Sequence, residues 1–327
     1  MKKIKFGILG CGMIANVHAA AIKGIDEAEL VGVADAKLSA ALLFAERHGV
    51  TAYESYEEML ASDIDVICIC TPSGHHAQNA KDAMTAGKHV VIEKPIALTL
   101  DDADMLIDIK NKTGRLLTVI SQLRFSPDVS RVKKLIETGA FGKITICNLF
   151  MNYYRSREYY SSSAWKGTRS FDGGVLMNQG IHGIDLMVYI MGGISDASSR
   201  AETFSHNIET EDTIVSSVKF ECGAVGTIEA STCTYPGFDR RIEIYGDKGY
   251  VFMRENVIEQ MMTDGEKREV APTNTISTSK DPASLDEKMH RAQIMNMIDA
   301  ITKGTELFVT AEDGRKAVET IKTIYGK

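Results

Sequence analysis

Ile4-Lys5-Phe6-Gly7-Ile8-Leu9-Gly10-Cys11-Gly12-Met13-Ile14-Ala15 is the stretch on which the fold turns. A short apolar run meets two glycines, and a helical pattern through Val17, Ala20, Ala21 and Ile22 follows at once. A strand that turns on glycines straight into a helix opens a βαβ unit. Gly10 allows the tight turn and Gly12 lets the backbone approach a ligand. Ala15, in place of a third glycine, still permits close helix–strand packing. The helix N-terminus offers backbone N–H groups to an anion. Residues 30–34 read as a second strand that closes on Asp35. Strand, glycine turn, helix and a carboxylate about 20 positions on predict a dinucleotide site. Gly10, Gly12, Met13, Ile14 and Asp35 are its first expected residues.

Asp35 also bears on which dinucleotide is bound. A carboxylate there accepts hydrogen bonds from both ribose hydroxyls of NAD and repels the 2′-phosphate of NADP. Lys37, two residues on, offers a phosphate some compensation. NAD is the expected cofactor, with NADP the less favoured choice.

Outward from this unit the alternation continues. Residues 38–46 are helical and stop at Gly49, as helices do at glycine. Residues 65–70, Asp-Val-Ile-Cys-Ile-Cys, form a strand apolar on both faces. That is how a strand covered by helices on both sides reads. A helix over 77–86 closes on Gly87, a strand covers 89–92, a helix 100–112 and a strand 116–121. Strands alternating with helices imply parallel crossovers and a doubly wound sheet. After Ser121 the alternation stops. Residues 129–137 are an amphipathic helix and 143–153 a long strand. Three β-like stretches follow at 213–220, 224–231 and 240–245, and helices return at 286–302 and 311–325. The strands read as a meander, hence a mostly antiparallel sheet with one open face. Residues 271–282, rich in Thr, Ser, Pro and Asp, read as a surface loop. The expected fold class is α/β. A dinucleotide-binding domain covers 1–121, and an α+β domain with a large open sheet covers 122–327.

Composition agrees with a folded globular chain. The 327 residues are 44% hydrophobic and 25% charged, ordinary values for a globular chain. They exclude a disordered chain, a collagen and a small disulfide scaffold. A net charge of −7 argues against a general nucleic-acid binder, which carries a basic footprint. No stretch approaches the ~20 apolar residues that span a bilayer. The start, Met1-Lys2-Lys3-Ile4-Lys5, is basic like a signal peptide. Its apolar run is soon broken by glycines, and no small-residue cleavage site follows. The six cysteines are too sparse for a disulfide framework. Cys68 and Cys70 face one side of a buried strand and read as core thiols. The expectation is a cytoplasmic protein with no metal, no membrane partner and no nucleic-acid partner.

The strand ends carry the chemistry. The third strand runs into Thr71-Pro72-Ser73-Gly74-His75-His76, and the fourth into Glu93-Lys94-Pro95. Ligands of open α/β sheets sit at this carboxyl edge. A lysine there faces the crevice, with Glu93 and Pro95 setting its direction. Gln122 and Arg124 follow the last strand and are expected near nicotinamide or substrate. His18, His48, His75, His89, His206 and His290 have no partner visible in the sequence and read as structural or exposed.

The run Ala86-Gly87-Lys88-His89-Val90-Val91-Ile92-Glu93-Lys94-Pro95 resembles the hallmark of the glucose–fructose oxidoreductase/inositol dehydrogenase (Gfo/Idh/MocA) family. The glycine loop, Thr71-Pro72 with His76, and a later Gly-Gly…His…Asp segment match in order across essentially the whole chain. The resemblance implies a Rossmann domain followed by an α/β domain with a large open sheet. It implies NAD(P)-dependent oxidation or reduction of a sugar, cyclitol or sugar derivative. Dimers or tetramers through that sheet are implied as well. Thr71, Pro72, His76, Glu93, Lys94 and Gln122 join the expected cofactor residues.

The later segment is Asp172-Gly173-Gly174-Val175-Leu176-Met177-Asn178-Gln179-Gly180-Ile181-His182-Gly183-Ile184-Asp185. On a helix, Asn178, His182 and Asp185 share one face. One histidine with an amide and a carboxylate is a poor metal set. The family match gives His182 the acid/base role beside the reactive hydroxyl or carbonyl. Inositol-dehydrogenase-like members carry Asp where this chain has Asn178. An amide accepts no proton, so Asn178 positions a substrate hydroxyl; the Asn-Gln-x-x-His pattern resembles members acting on nucleotide-linked or otherwise modified sugars rather than on plain myo-inositol. Tyr153-Tyr154-Arg155-Ser156-Arg157-Glu158-Tyr159-Tyr160 precedes Trp165-Lys166, where the family often has Trp-Arg against the cofactor. Aromatics stack on sugar faces and arginines grip carboxylates or phosphates. The expected substrate residues are Lys94, Arg124, Tyr153, Trp165, Asn178 and His182, with Lys94 and His182 as the proton-transfer pair. Two alternatives stand beside this: a dinucleotide-binding sensor without turnover, and glycoside cleavage through transient oxidation.

Overall fold

The computed structural model describes residues 3–263, 266–269 and 287–326. The stretch 271–282, expected as a surface loop, lies outside the described residues. The chain forms two compact units. One comprises Met1–Gln122 and Asp286–Arg315, the other Leu123–Leu285 and Lys316–Lys327.

In the first unit strands and helices alternate. They are β1 (Ile4–Leu9), α1 (Met13–Lys23), β2 (Ala28–Ala34), α2 (Leu38–His48), β3 (Thr51–Ala52), α3 (Tyr56–Ala61), β4 (Val66–Ile69), α4 (His76–Thr85), β5 (His89–Ile92), α5 (Leu100–Thr113) and β6 (Leu117–Val119). The strands lie in the order β3-β2-β1-β4-β5-β6. Every pairing is parallel. Val66, Ile67, Cys68 and Ile69 are all buried, as a strand covered on both faces requires. The order reverses between β1 and β4, the position at which such sheets open a crevice for ligands. The two short elements, β3 and α3, have no counterpart in the sequence reading. Two and six residues are too few to show a period.

The second unit contains α6 (Pro127–Glu137), β7 (Ile144–Asn152), α7 (Arg157–Ser161) and a π-helical turn (Leu176–Gly180) that runs into α8 (Ile181–Met191). Then follow β8 (Ile194–Glu202), β9 (Thr213–Phe220), β10 (Val225–Ser231), β11 (Arg241–Gly246), β12 (Gly249–Arg254), β13 (Val257–Thr263) and β14 (Glu266–Glu269). All eight strands join one sheet, in the order β14-β13-β12-β11-β7-β10-β9-β8. Its pairings are antiparallel except for β7 with β10, which is parallel. The simple meander expected from sequence is therefore corrected. β7 buries Cys147, Leu149 and Met151 completely and takes the middle of the sheet. The buried face packs under α8, which is apolar on nearly every side. The other face leaves Ile146, Val215 and Val225 exposed.

The chain then forms α9 (Glu287–Lys303) and α10 (Ala311–Ile324). α9 belongs to the first unit, which corrects the expected division at residue 121. Ile294, Met297 and Ile298 enter the same apolar cluster as Ala15, Ala19 and Ile22 of α1. Gln293 completes the seam. Its Nε2 donates to Thr118 Oγ1 at 2.9 Å and to the Val119 carbonyl at 2.7 Å, and its Oε1 accepts from Ser121 N at 3.1 Å.

A buried ion pair anchors α8. Arg124 donates from Nε to Asp185 Oδ2 at 2.9 Å and from its terminal nitrogen to Oδ1 at 2.7 Å. Both side chains are buried, and the guanidinium lies 4.8 Å from the Tyr189 ring centroid. Asp185→Ala removes the carboxylate that compensates this charge and is expected to lower unfolding free energy by about 3–5 kcal/mol. Replacing both partners, as Arg124→Met with Asp185→Leu, is expected to restore most of the loss. Urea unfolding of wild type, single and double variants checks this; equal losses in the two variants would refute the charge argument.

Candidate functional site at the strand ends and its second half

At the end of β1 the chain turns on Gly10, whose φ is 93°. A Cβ there would lie 2.8 Å from the Cys70 carbonyl oxygen, so only glycine fits. Gly12 opens α1 with no side-chain cap and no acidic residue in the first turn. A Cβ built on Gly12 meets no atom within 4 Å. The helix N-terminus thus faces open space with its positive end uncompensated, as a bound pyrophosphate requires. Met13 is exposed and Ile14 half-buried beside it.

Asp35 is fixed in place. One carboxylate oxygen accepts Cys11 N at 2.8 Å and the other accepts Lys37 N at 2.8 Å. The carboxylate therefore hangs from the glycine loop itself, with lone pairs left for two ribose hydroxyls. Burial, and then the Asp35 charge, push the Cys11 thiol up to about 12.

The next two strand ends are tied together. His76, fully buried, places Nδ1 2.6 Å from the Pro95 carbonyl and Nε2 2.9 Å from the Thr71 carbonyl. Burial holds its pKa below the ordinary value, although both carbonyls pull it upward. His76, expected at the cofactor, thus braces the β4 and β5 ends, and Thr71 Oγ1 donates to Asn79 Oδ1 at 3.0 Å. Pro72 precedes the helical turn Ser73–His75.

Glu93 is buried at the end of β5. His18 Nε2 lies 2.9 Å from Glu93 Oε1. Burial would raise the carboxyl, but the His18 hydrogen bond and the charges of His18, His290 and Lys94 overcome it and hold Glu93 at about 2. Burial likewise opposes a charge on His18. The sulfurs of Cys68 and Cys70 and the Glu93 carboxylate outweigh it, so the imidazole sits well above its ordinary value. His18, Glu93 and His290 bring ligating atoms within 4.8 Å of one another. The carboxylate stands between the two imidazoles, 2.9 Å from His18 Nε2 and 3.9 Å from His290 Nε2. His18 and His290, read from sequence as partnerless, are thereby corrected. The available signal was a lone histidine among the alanines of the buried face of α1.

Lys94 is half-buried directly after Glu93. Gln122, after β6, is buried, and its Oε1 has no hydrogen-bond partner among the described residues. A buried acceptor left open is costly unless a ligand fills it. Together with the empty cradle at Gly12 and the fixed Asp35, it fits a dinucleotide carrying a carboxamide.

The second unit holds the other half of the expected residues. Asn178, in the π-helical turn, donates from its amide to Asp172, which sequence reading did not single out. Gln179 accepts from Arg155 Nε at 3.0 Å and donates to the Tyr159 hydroxyl at 2.8 Å. The Arg155 guanidinium lies 5.5 Å from the Tyr153 ring centroid and 5.7 Å from that of Tyr159. Lys166 Nζ sits 3.9 Å from the centroid of Tyr159. Burial lowers the Lys166 pKa, partly restored by Asp172. Tyr153 is buried, and burial pushes its hydroxyl up to about 12. Trp165 is half-buried, and its carbonyl accepts Thr168 Oγ1 at 2.7 Å. Arg157, Tyr160, Lys166, Phe204 and His206 line a cleft of about 970 Å³. His182 is half-buried in the first turn of α8. The single face predicted for Asn178, His182 and Asp185 divides by partner: Asp185 binds Arg124, whereas Asn178 binds Asp172. Arg124, expected at the substrate, has its guanidinium in that buried pair.

Comparison with known proteins identifies the family. Residues 4–121 match the model described as "Oxidoreductase family, NAD-binding Rossmann fold", and residues 129–252 match the GFO/IDH/MocA C-terminal domain. The WlbA dehydrogenase of Bordetella pertussis, solved with NADH and UDP-GlcNAcA, superposes with a TM-score of 0.88 at 30% identity, over 99% of this chain and 95% of that one. The inositol 2-dehydrogenase of Rhizobium meliloti (strain 1021) is 29% identical over 96% of this chain and 94% of its own. The myo-inositol 2-dehydrogenase of Thermotoga maritima is 28% identical over 80% and 78%. The glycine loop, the carboxylate after β2, the Glu-Lys-Pro end of β5 and both matched domains make this chain a member of the Gfo/Idh/MocA family of NAD-binding oxidoreductases.

Proposed function

We propose that the protein is an NAD-dependent dehydrogenase or reductase acting on a CH–OH carbon of an acidic, nucleotide-linked sugar, with Lys94 and His182 as the proton-transfer pair. The observation that carries the substrate class is the placement of Arg155 and Lys166 against the ring of Tyr159. Two cations around one aromatic ring suit a sugar bearing carboxylate or phosphate. The likeness to a dehydrogenase solved with UDP-GlcNAcA supports the same class.

The residues that would hold the dinucleotide are Gly10, Gly12, Met13 and Ile14 at the α1 N-terminus, Asp35 at the ribose and Gln122 at the carboxamide. When bound, the cofactor accepts or supplies a hydride at its nicotinamide ring. The protein handles the proton. In the oxidative direction Lys94 Nζ, as the free amine, takes it from the substrate hydroxyl, with His182 as the second acid/base of the pair. Asn178 directs a neighbouring hydroxyl. The assignment of NAD over NADP follows from the Asp35 charge. Among the described residues no helix is long and apolar enough to cross a membrane. All six cysteines are free thiols, which supports a cytoplasmic setting. We place a homodimer or homotetramer contact on the outer sheet face around Ile146, Val215 and Val225, to be checked by sedimentation velocity.

A screen of NAD reduction by absorbance, covering UDP-GlcNAcA, uronic acids, neutral sugars and inositols, tests the substrate class. Turnover is expected with the acidic nucleotide sugar; turnover with neutral cyclitols alone would overturn it. Lys94→Ala is expected to lower kcat by about 10²–10⁴-fold with NADH affinity little changed. Undiminished turnover would remove the assignment. Asp35→Ala is expected to lower the NAD-over-NADP ratio of kcat/KM by about tenfold or more, because a like-charge repulsion is lost. A wild type that already favours NADP would contradict this reading.

A further inference from the structure

Three segments distant in sequence converge on one carboxylate. His18 comes from α1, Glu93 from the end of β5 and His290 from α9, and all three are buried. Glu93 Oε1 lies 2.9 Å from His18 Nε2 and 3.9 Å from His290 Nε2. Glu93 Oε2 accepts the backbone N–H of Lys94 at 3.3 Å. The two imidazole rings meet edge to face with centroids 5.6 Å apart.

This geometry has a mechanical reading. Of the two carboxylate oxygens, one is gripped by imidazole and the other holds the Glu93–Lys94 peptide. That peptide sets the direction in which the Lys94 side chain leaves the strand. A carboxylate this deeply buried is tolerable only when its charge is compensated. Take away the imidazoles and the ionised carboxylate must turn or draw in water, and the peptide loses its restraint.

We propose that His18 and His290 are positioning residues for Lys94 that act through the Glu93 carboxylate. The proposal rests on Lys94 being the proton-transfer group. It extends that role to a helix nearly 200 residues downstream. The electrostatics point the same way. The charged and titratable groups around the carboxylate are His18 from α1, Cys68 and Cys70 from β4 and its end, His76 from α4, Lys94 and His290 from α9. Glu93 remains ionised beside Lys94, and the His18 charge keeps Lys94 from facing a bare anion.

The test uses the full chain with His18→Leu, His290→Leu and His18→Gln. The glutamine keeps an N–H for Glu93 but loses the charge. NADH fluorescence and circular dichroism establish that each variant is folded. Competitive labelling with acetic anhydride across pH, read by peptide mass spectrometry against the exposed Lys112, reports on the Lys94 amine without any substrate. Turnover is measured with NAD and UDP-GlcNAcA. Each leucine variant is expected to lose at least about tenfold in kcat with KM and NADH affinity within about threefold. The Lys94 labelling midpoint is expected to move to higher pH in His18→Leu. His18→Gln is expected to recover most of kcat while the midpoint stays high, because restraint returns without charge. An unchanged Lys94 labelling profile in both leucine variants would overturn the proposal. So would a parallel loss of kcat, NADH affinity and melting temperature that His18→Gln does not rescue. Should leucine prevent folding, Glu93→Gln is read by the same labelling. If Lys94→Ala keeps its turnover, the proton-transfer reading falls, and the substrate-free labelling still decides whether the histidines control the amine.

Discussion

A carboxylate taken out of water at the end of β5 is the constraint around which the first unit is arranged. Glu93 keeps its charge only because imidazoles reach it from two directions. One arrives on α1, the helix into which the glycine loop leads. The other arrives on α9, after the chain has built another unit and come back. The apolar seam between α1 and α9 and the amide of Gln293 hold that returning helix in place. The sheet is built from local βα steps, yet the His290–Glu93 contact at the end of β5 needs a long-range closure. Such closures carry a greater entropic cost than local ones, and burial of the apolar seam opposes it.

Parallel strands bring all their carboxyl ends to one edge, and the proposed dinucleotide residues gather there. Gly10, Asp35, Thr71, Glu93 and Gln122 sit at consecutive strand ends although they span over a hundred residues. This explains how a chain of net charge −7 accommodates an anionic dinucleotide. Backbone N–H groups and the positive end of α1 supply the field, so the site needs no basic side chains. Asp35, the carboxylate proposed for the ribose, is locked beside the loop by two backbone donors.

Much of this was legible because it is local. The glycine turn, the carboxylate after β2 and the Glu-Lys-Pro end of β5 each lie within a few residues of the strand that positions them. Strands β9, β10 and β11 could be read because alternation survives in a half-buried sheet. What stayed hidden depended on partners far along the chain. Nothing around His290 announces Glu93, and nothing around Arg124 announces Asp185. β8 escaped because its edge position leaves Ile-Ser-Asp-Ala-Ser-Ser-Arg-Ala-Glu mostly exposed, without the apolar alternation that marks a strand. The parallel placement of β7 beside β10 escaped for another reason. Strand order is not encoded in any one strand's pattern.

Residue type alone does not separate scaffold from chemistry here; satisfaction does. Gln122 and Gln293 are both buried glutamines of the first unit. Gln293 makes three hydrogen bonds to the end of β6, so its amide is spent on the fold. Gln122 leaves its carbonyl oxygen buried and open. A fold gains nothing from an acceptor stranded in that way, and the desolvation cost is recovered only when a donor arrives. His76 and His18 make the same contrast. Burial lowers the His76 pKa while the two carbonyls beside its ring pull it upward, and the ring sits between the β4 and β5 ends as part of the frame. His18 stays charged against a carboxylate that in turn holds the peptide of Lys94. At the strand ends, then, Gln122 and the His18–Glu93 pair stand open or charged, and Gln293 and His76 belong to the frame that holds them.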